Sequence, residues 1–471
     1  MTYFKRVITR NLPKSGFLRG VSLLIGGTLS AQVLMIVFSP LLTRLYSPED
    51  FGLLAIYSSV LSIGILLASL RYDVAIPLPE EDDEAVSIVA LSLIIVLTVS
   101  ILAFFVVFFW GKDIAELLQF PELERYILLL PIGLLIAGAY NVLTQWNVRQ
   151  KKFGLIASTK LRQAVVTIAI QLMAFKWNGL ALILSQISSN SAGVTRLSRP
   201  NFQGICFDKI LNVAMRYRRF PKYSAPAGLA RVAGVELPAL LLAASFNPAA
   251  AGLYALTNRV LGVPANVLGS AVSQVFTSNA AEAYRSGKLG DLVRKLYSQM
   301  SVIGLPFMLI LMLIGPDLFG FIFGETWRQS GEFARWMAPW LYLVFVSSPI
   351  TTVTAIMEKQ KQGLIFHLTL LLVRIVSLSV GIYFEDLMLT IILLALVNAL
   401  WRFGFLMWIY IISGNKMKGF VLDSSNALFS SLLCVVPILM SKMFGAYLVF
   451  SLLVSLVLVS LQYWKLFKEA N

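Results

Sequence analysis

Five arginines lie inside apolar runs of this chain: Arg71, Arg231, Arg259, Arg374 and Arg402. An arginine at the centre of a bilayer costs about 2.5–3.5 kcal/mol on insertion scales, so each one implies an offsetting partner or task. A guanidinium fork suits bidentate recognition of phosphate or carboxylate. Residues three, four and seven apart share a helix face. By that rule Arg259, Gly262, Asn266, Ser270 and Ser273 form one small or polar stripe, with Pro264 beside it as a bend. His367, Arg374, Ser377 and Gly381 form a second, and Asn398 lies one turn from Arg402. Thr28, Gln32 and Ser39 make a neutral counterpart near the start of the chain, and Glu236 is the deepest acid. Arg259, Arg374, Arg231 and Arg402 are therefore expected to grip an anionic group. Glu236, Gln32, Asn266, Asn398 and Arg71 are expected to supply polar lining or coupling.

Blander readings stand beside these. Arg71 lies close to a helix end, where a long side chain can snorkel to water, and Arg402 could do the same less easily. Arg231 and Glu236 could form an ion pair, although a spacing of five puts them about 140° apart on one helix. His367, the only histidine, reads better as a satisfied interhelical residue than as a proton relay. No catalytic constellation and no metal-ligand spacing of cysteine, histidine and carboxylate is found. The phosphate-cradling GxxxxGK[ST] pattern is missing too, so neither a metal nor a nucleotide cofactor is expected. The two cysteines, Cys206 and Cys434, fall in or near segments expected to face the cytoplasm, which argues against a disulfide.

What must position these side chains is a set of membrane helices. The composition is 58% hydrophobic and 13% charged, with recurring apolar runs of about 20 residues, long enough to cross roughly 30 Å of hydrocarbon. Fourteen spans are expected, at 20–43, 51–76, 86–109, 126–147, 154–174, 178–195, 224–246, 250–276, 297–323, 334–357, 363–384, 387–412, 425–441 and 445–463. The sixth, which contains Ser185–Ser191, is polar, and the thirteenth is short. With the N-terminus in the cytoplasm, inner segments hold 27 basic residues and outer segments seven. That bias places both termini inside. The net charge of +15 thus belongs to short loops and not to a nucleic-acid groove. The inner loop Glu80–Glu84 is acidic and runs against the pattern, though acids weigh little in topology. The first span reads as uncleaved, and amphipathic Tyr3–Leu12 is expected to lie on the inner membrane surface.

The chain also repeats itself. Pro48-Glu-Asp-Phe-Gly52-Leu-Leu-Ala55 is answered by Pro248-Ala-Ala-Ala-Gly252-Leu-Tyr-Ala255, and Arg149–Ile156 by Glu358–Ile365. Echoes at a nearly fixed offset indicate duplicated six-span blocks of one orientation, with any pathway between them. The expected division is 1–196 for an N-terminal lobe, 197–223 for a cytoplasmic linker, 224–412 for a C-terminal lobe and 413–471 for two accessory spans and a tail. The paired turns are expected at the outer rim. Four of the five arginines fall in the second half, so an anionic head on a polar body, such as a lipid-linked phosphate bearing sugars, fits the pattern.

Leu42–Gly52, Ser69-Leu-Arg-Tyr-Asp73, Gly179–Gly193, Arg219-Phe-Pro-Lys-Tyr-Ser-Ala-Pro226 and Phe323-Gly-Glu-Thr-Trp327 resemble the polysaccharide-transporter family. These are the Wzx-type flippases of the multidrug/oligosaccharidyl-lipid/polysaccharide exporter superfamily. The resemblance implies an all-α integral membrane protein, two six-helix lobes in a V around a cavity and two further helices. It also implies movement of an undecaprenyl-diphosphate-linked oligosaccharide across a bacterial cytoplasmic (inner) membrane by alternating access. That step would serve O-antigen and other lipopolysaccharide, capsule, exopolysaccharide or teichuronic-acid biosynthesis. A polysaccharide polymerase and chain-length proteins are the partners this would bring, besides membrane lipid. The family has no short universal motif from which site residues could be carried over. A cation-coupled drug exporter of the same superfamily would favour acids in its cavity, and a polymerase or ligase would need a large outer loop that this topology lacks.

Overall fold

The computed structural model describes residues 16–117, 123–203, 205–444 and 448–470; Tyr3–Leu12 lies outside them. Regular structure among the described residues is entirely helical. A chain in hydrocarbon must satisfy its own backbone, and a helix does so within one segment. The long helices are α1 (Gly16–Leu45), α2 (Pro48–Ser69), α3 (Asp82–Leu117), α4 (Leu129–Arg149), α5 (Phe153–Met173) and α6 (Gly179–Arg196). The ten-residue α7 (Phe207–Arg216) precedes α8 (Ala225–Ser245), α9 (Pro248–Arg285), α10 (Leu289–Phe323) and α11 (Arg328–Ser347). The last four are α12 (Gln360–Tyr383), α13 (Leu387–Ile412), α14 (Met417–Phe444) and α15 (Leu448–Ala470).

Ten helices among the described residues are long and apolar enough to cross a membrane, so the protein is a multi-pass membrane protein. The thirteenth expected span, short in sequence, is the 28-residue α14. At the positions of the sixth, eighth, tenth and fourteenth, α6, α9, α11 and α15 are long helices outside the ten. The polar residues of α6 explain its case, because they pair with neighbouring helices. Ser58 donates to Gln186 Oε1 (2.8 Å), Gln171 Nε2 to Ser185 Oγ (3.0 Å) and Gln163 Nε2 to Asn190 Oδ1 (3.4 Å). A helix surrounded by protein needs no apolar circumference.

By its contacts the chain forms two units, Met1–Ala255 and Leu256–Asn471. In the first, α1 packs on α5, α5 on α6, α3 on α4 and α8 on α2. The helix α8, grouped with the C-terminal lobe in the sequence-based division, thus has its main neighbour in the N-terminal unit. Ile56, Tyr57, Ile88 and Ile183 are fully enclosed in the core of this unit. The acidic loop acts as a clamp. Arg149, at the end of α4, donates to Asp82 Oδ1 through Nε and Nη2 (3.0 and 2.9 Å) and to the Pro79 and Glu80 carbonyls. Asp83 lies 3.7 Å from Lys209, and Glu84 accepts from Arg216 at 2.7 Å. Three acids at the start of α3 also complement its helix dipole.

The echoed turns meet. Ser47 and Asp50 form a reciprocal capping box at the start of α2, with Pro48 in its first turn. Asn247 caps α9 by accepting from the Ala250 amide (2.8 Å), again with a proline next. A Cβ on Gly52 would overlap the Pro248 carbonyl, and one on Gly252 would overlap the Pro48 carbonyl. The two copies are therefore packed backbone to backbone, each glycine against the other's proline. Beside them, Tyr46 donates to the Gln171 carbonyl (2.7 Å). Burial, then the Asp50 carboxylate, pushes its phenol up to about 12, so it remains a donor.

In the second unit α10 packs on α11, α11 on α13, α12 on α13, α10 on α14 and α14 on α15. Arg294 grips Asp423 through two bonds (2.8 and 3.1 Å), tying α14 to α10. Tyr297, Tyr410 and Phe420 stack around that pair. An apolar cavity of about 320 Å³ opens between α10, α11 and α15, lined by Phe307, Leu311, Leu341, Tyr342 and Leu456 among others.

Candidate functional site

The hairpin of α12 and α13 creates a polar focus in the second unit. Asp386 caps α13 by accepting from the Leu389 amide (3.0 Å). Gly381 lets the two helices close in, since a Cβ there would run into Thr390. About two turns from that point on each strand of the hairpin are Arg374 and Asn398. They meet: Arg374 Nε donates to Asn398 Oδ1 at 2.5 Å, and Asn398 Nδ2 donates to the Leu394 carbonyl at 2.7 Å. Asn398 is 1% exposed, so its orientation is fixed by burial as well as by both bonds. From α11, Trp340 places its ring 5.5 Å from the Arg374 guanidinium carbon, a cation–π contact.

Arg402, partly buried one turn beyond Asn398, and His367 on α12 lie within electrostatic range of Arg374. Among the described residues no ion pair involves Arg402 or Arg259. Two guanidinium groups in electrostatic range repel each other, and a bound anion would relieve that repulsion. The adjacent wall is aromatic: Phe366, Phe405 and Trp408 cluster together, and Trp401 Nε1 donates to the Phe366 carbonyl (3.0 Å). Aromatic walls exclude water and strengthen any charge pairing inside them.

The remaining candidates are placed elsewhere. Arg259 is partly buried on α9, four residues beyond the start of the second unit. The side chain of Asn266 lies outside the described residues. In the first unit, Glu236 accepts from Ser59 Oγ (2.8 Å), linking α8 to α2. Arg231 is exposed, and no ion pair among the described residues joins it to Glu236. Gln32 is partly buried on α1, its Oε1 without a hydrogen-bond partner. Arg71 is not inside a helix. The expected span 51–76 stops at Ser69, because Leu70 and Arg71 adopt left-handed backbone angles (φ 45° and 64°). There Arg71 complements the negative end of α2, with its Nε buried near Gly228 of α8.

Nothing in the linear spacing of residues marks Trp340 as part of this site. Helical spacing relates residues on one helix, whereas Trp340 reaches Arg374 from another. The acidic clamp was visible only as a topological anomaly, and its partners Lys209 and Arg216 lay far along the chain. Cys206 and Cys434 are both free thiols.

Comparison with known proteins adds an independent line. The family described as "Polysaccharide biosynthesis protein" matches residues 41–332, more than half of the chain. The succinoglycan biosynthesis transport protein ExoT of Rhizobium meliloti (strain 1021) is 24% identical over 434 residues, covering 88% of this chain and 84% of that protein. Among solved structures, the lipid II flippase MurJ in an inward closed conformation superposes with a TM-score of 0.68 at 13% identity, covering 96% of this chain and 99% of that one. An inward-facing multidrug resistance transporter of the MATE family gives 0.54 at 13% identity, over 83% and 94%. These likenesses at low identity establish a shared transporter fold.

Proposed function

Because this chain belongs to the polysaccharide biosynthesis protein family, we propose that it is a flippase for a polyprenyl-diphosphate-linked oligosaccharide. It moves the sugar head from the cytoplasmic to the outer leaflet of a bacterial inner membrane, with both termini in the cytoplasm. The observation that carries this reading is the Arg374–Asn398–Trp340 constellation with Arg402 beside it: two cationic side chains gathered in electrostatic range of each other, one of them oriented by a buried amide and an aromatic face, inside a membrane protein. A diphosphate brings negative charge to these cations and offers oxygens in the spacing a guanidinium fork accepts.

In this reading Arg374 and Arg402 hold the diphosphate, with Arg259 and Arg231 meeting it along its path. Asn398 and Trp340 are positioning residues, which lock one edge and one face of Arg374. Glu236 and Gln32 line the route of the sugars, and Arg71 and Asn266 belong to the same polar lining. The apolar cavity beside α15 takes part of the polyprenyl chain. The paired turns at Pro48 and Pro248 shut one side and part when that side opens, which is how access alternates. ExoT is named as a transport protein of succinoglycan biosynthesis and MurJ as a lipid II flippase; a lipid-linked sugar cargo agrees with both names. A cationic drug would meet repulsion at the same arginines.

The direct experiment replaces Arg374 and Arg402 with glutamine and measures export of surface polysaccharide at matched protein levels. Export falling by an order of magnitude or more is expected. Unchanged export would remove these two residues from the site.

A further inference from the structure

We propose that α7 is a membrane-surface helix, with one apolar stripe dipping into an anionic lipid leaflet while the acidic start of α3 holds its other side. Phe207, Leu211 and Met215, each four residues apart and so on one face, are 76%, 48% and 56% exposed. Val213 on another face is 5% exposed and packs into the core of the first unit with Ile205, Tyr217 and Phe220 alongside. The polar side is tied down as well: Lys209 lies 3.7 Å from Asp83, Arg216 is bonded to Glu84 at 2.7 Å, and Tyr72 donates to the Ala214 carbonyl at 3.0 Å. Since Lys209 and Arg216 are seven apart, they share a face, roughly opposite Leu211.

Chain continuity sets where that stripe is. The membrane-crossing segment Phe220–Ser245 begins four residues after α7 ends. At no more than about 3.5 Å per residue, α7 ends within about 14 Å of that segment. Tyr72, which grips its last turn, follows the end of α2 by three residues. A helix stapled to the ends of two spans lies in the interfacial layer. There an exposed apolar stripe meets acyl chains, and flanking basic side chains meet headgroups.

The charge pattern selects the lipid. Between Phe207 and Lys222 there are five basic residues and one acid, Asp208. Lys209 and Arg216 face the acids of α3, while Arg218, Arg219 and Lys222 are exposed, and Lys222 lies over the Tyr223 ring (5.3 Å). Arg218 and Arg219 enter no ion pair among the described residues. They lie between the end of α7 and the membrane-crossing segment Phe220–Ser245, a placement that suits anionic headgroups. This proposal does not depend on the cargo.

The test uses the full-length protein in lipid nanodiscs, with Cys206→Ser and Cys434→Ala removing the native thiols. Leu211→Cys and Asn212→Cys are each labelled with a small fluorophore, in bilayers carrying a spin-labelled lipid quencher at shallow acyl depth. Quenching several-fold stronger at the Leu211→Cys label is expected, and it should deepen when phosphatidylglycerol replaces part of the phosphatidylcholine. Comparable quenching at both positions, or none at the Leu211→Cys label, would overturn the lipid assignment and leave the stripe to a protein partner. Quenching indifferent to phosphatidylglycerol would overturn the anionic preference. Monodisperse elution of both labelled proteins checks that they are folded.

Discussion

Arg374 owes its fixed position to Asn398, and the two make opposite demands on substitution. Replacing Asn398 with leucine keeps the volume but strips Nε of its acceptor, and a buried donor left unsatisfied costs about 1–3 kcal/mol. Export by the Asn398→Leu variant, followed as surface polymer at equal protein level, should therefore drop about tenfold or more, while the apolar core of the second unit is undisturbed. Arg374→Lys should rescue little of the loss seen with Arg374→Gln. An ammonium keeps the charge but loses the planar fork that reaches an acceptor with one edge while the Trp340 ring covers its face. If lysine restored export fully, charge alone would be the requirement and the constellation would lose its geometric meaning.

Two contacts between elements lead to sharper expectations than their sequence positions suggest. A methyl at Gly52 has no room while the Pro248 carbonyl is in place, so Gly52→Ala should force the turns apart. The readout is thiol labelling at Ala251→Cys, whose native side chain is 0% exposed; in the Gly52→Ala background its modification should be markedly faster. Equal rates in both backgrounds would show that the turns never separate. Arg149 has a different task, since it closes the Pro79–Asp82 turn with four donated bonds. Arg149→Ala should lower the melting temperature in detergent, by an amount that corresponds to about 1.5–3 kcal/mol for a bond network to a charged group. The same substitution should leave the Arg374 site untouched, because that site belongs to the second unit.

For the molecule as a whole, orientation in the membrane is the property most exposed to test, and the protein carries its own probe. Cys206 is exposed at the start of α7 and Cys434 is buried. A membrane-impermeant maleimide applied to intact cells should leave Cys206 unlabelled, and permeabilisation should make it reactive. Labelling in intact cells would reverse the topology inferred from the basic loops. Asp423→Ala would release Arg294 and with it the tie between α14 and α10, and thermal unfolding followed in detergent should shift downward.

Composition and charge alone determined that this is a helical membrane protein, because a lipid core leaves a chain no other way to satisfy its backbone than helices or a closed barrel. The duplicated turns and the basic-loop bias were equally legible, since both are written in linear order. The arginines could be named for the same reason: an ionised group in an apolar run is conspicuous wherever it ends up. Which of them act together was not legible. Arg374, Asn398 and Trp340 come from three helices, and only close packing at Gly381 and Thr390 brings the first two into register. Arg71 left the set of intramembrane residues through backbone angles at Leu70 and Arg71 that nothing in its neighbours' hydropathy foretells. The acidic loop, odd in a topology count, became sensible once folding brought Arg149, Lys209 and Arg216 to it. Hydropathy and spacing act along the chain and can be read there, whereas countercharge, close approach and shared burial act through space and were decided by the tertiary structure.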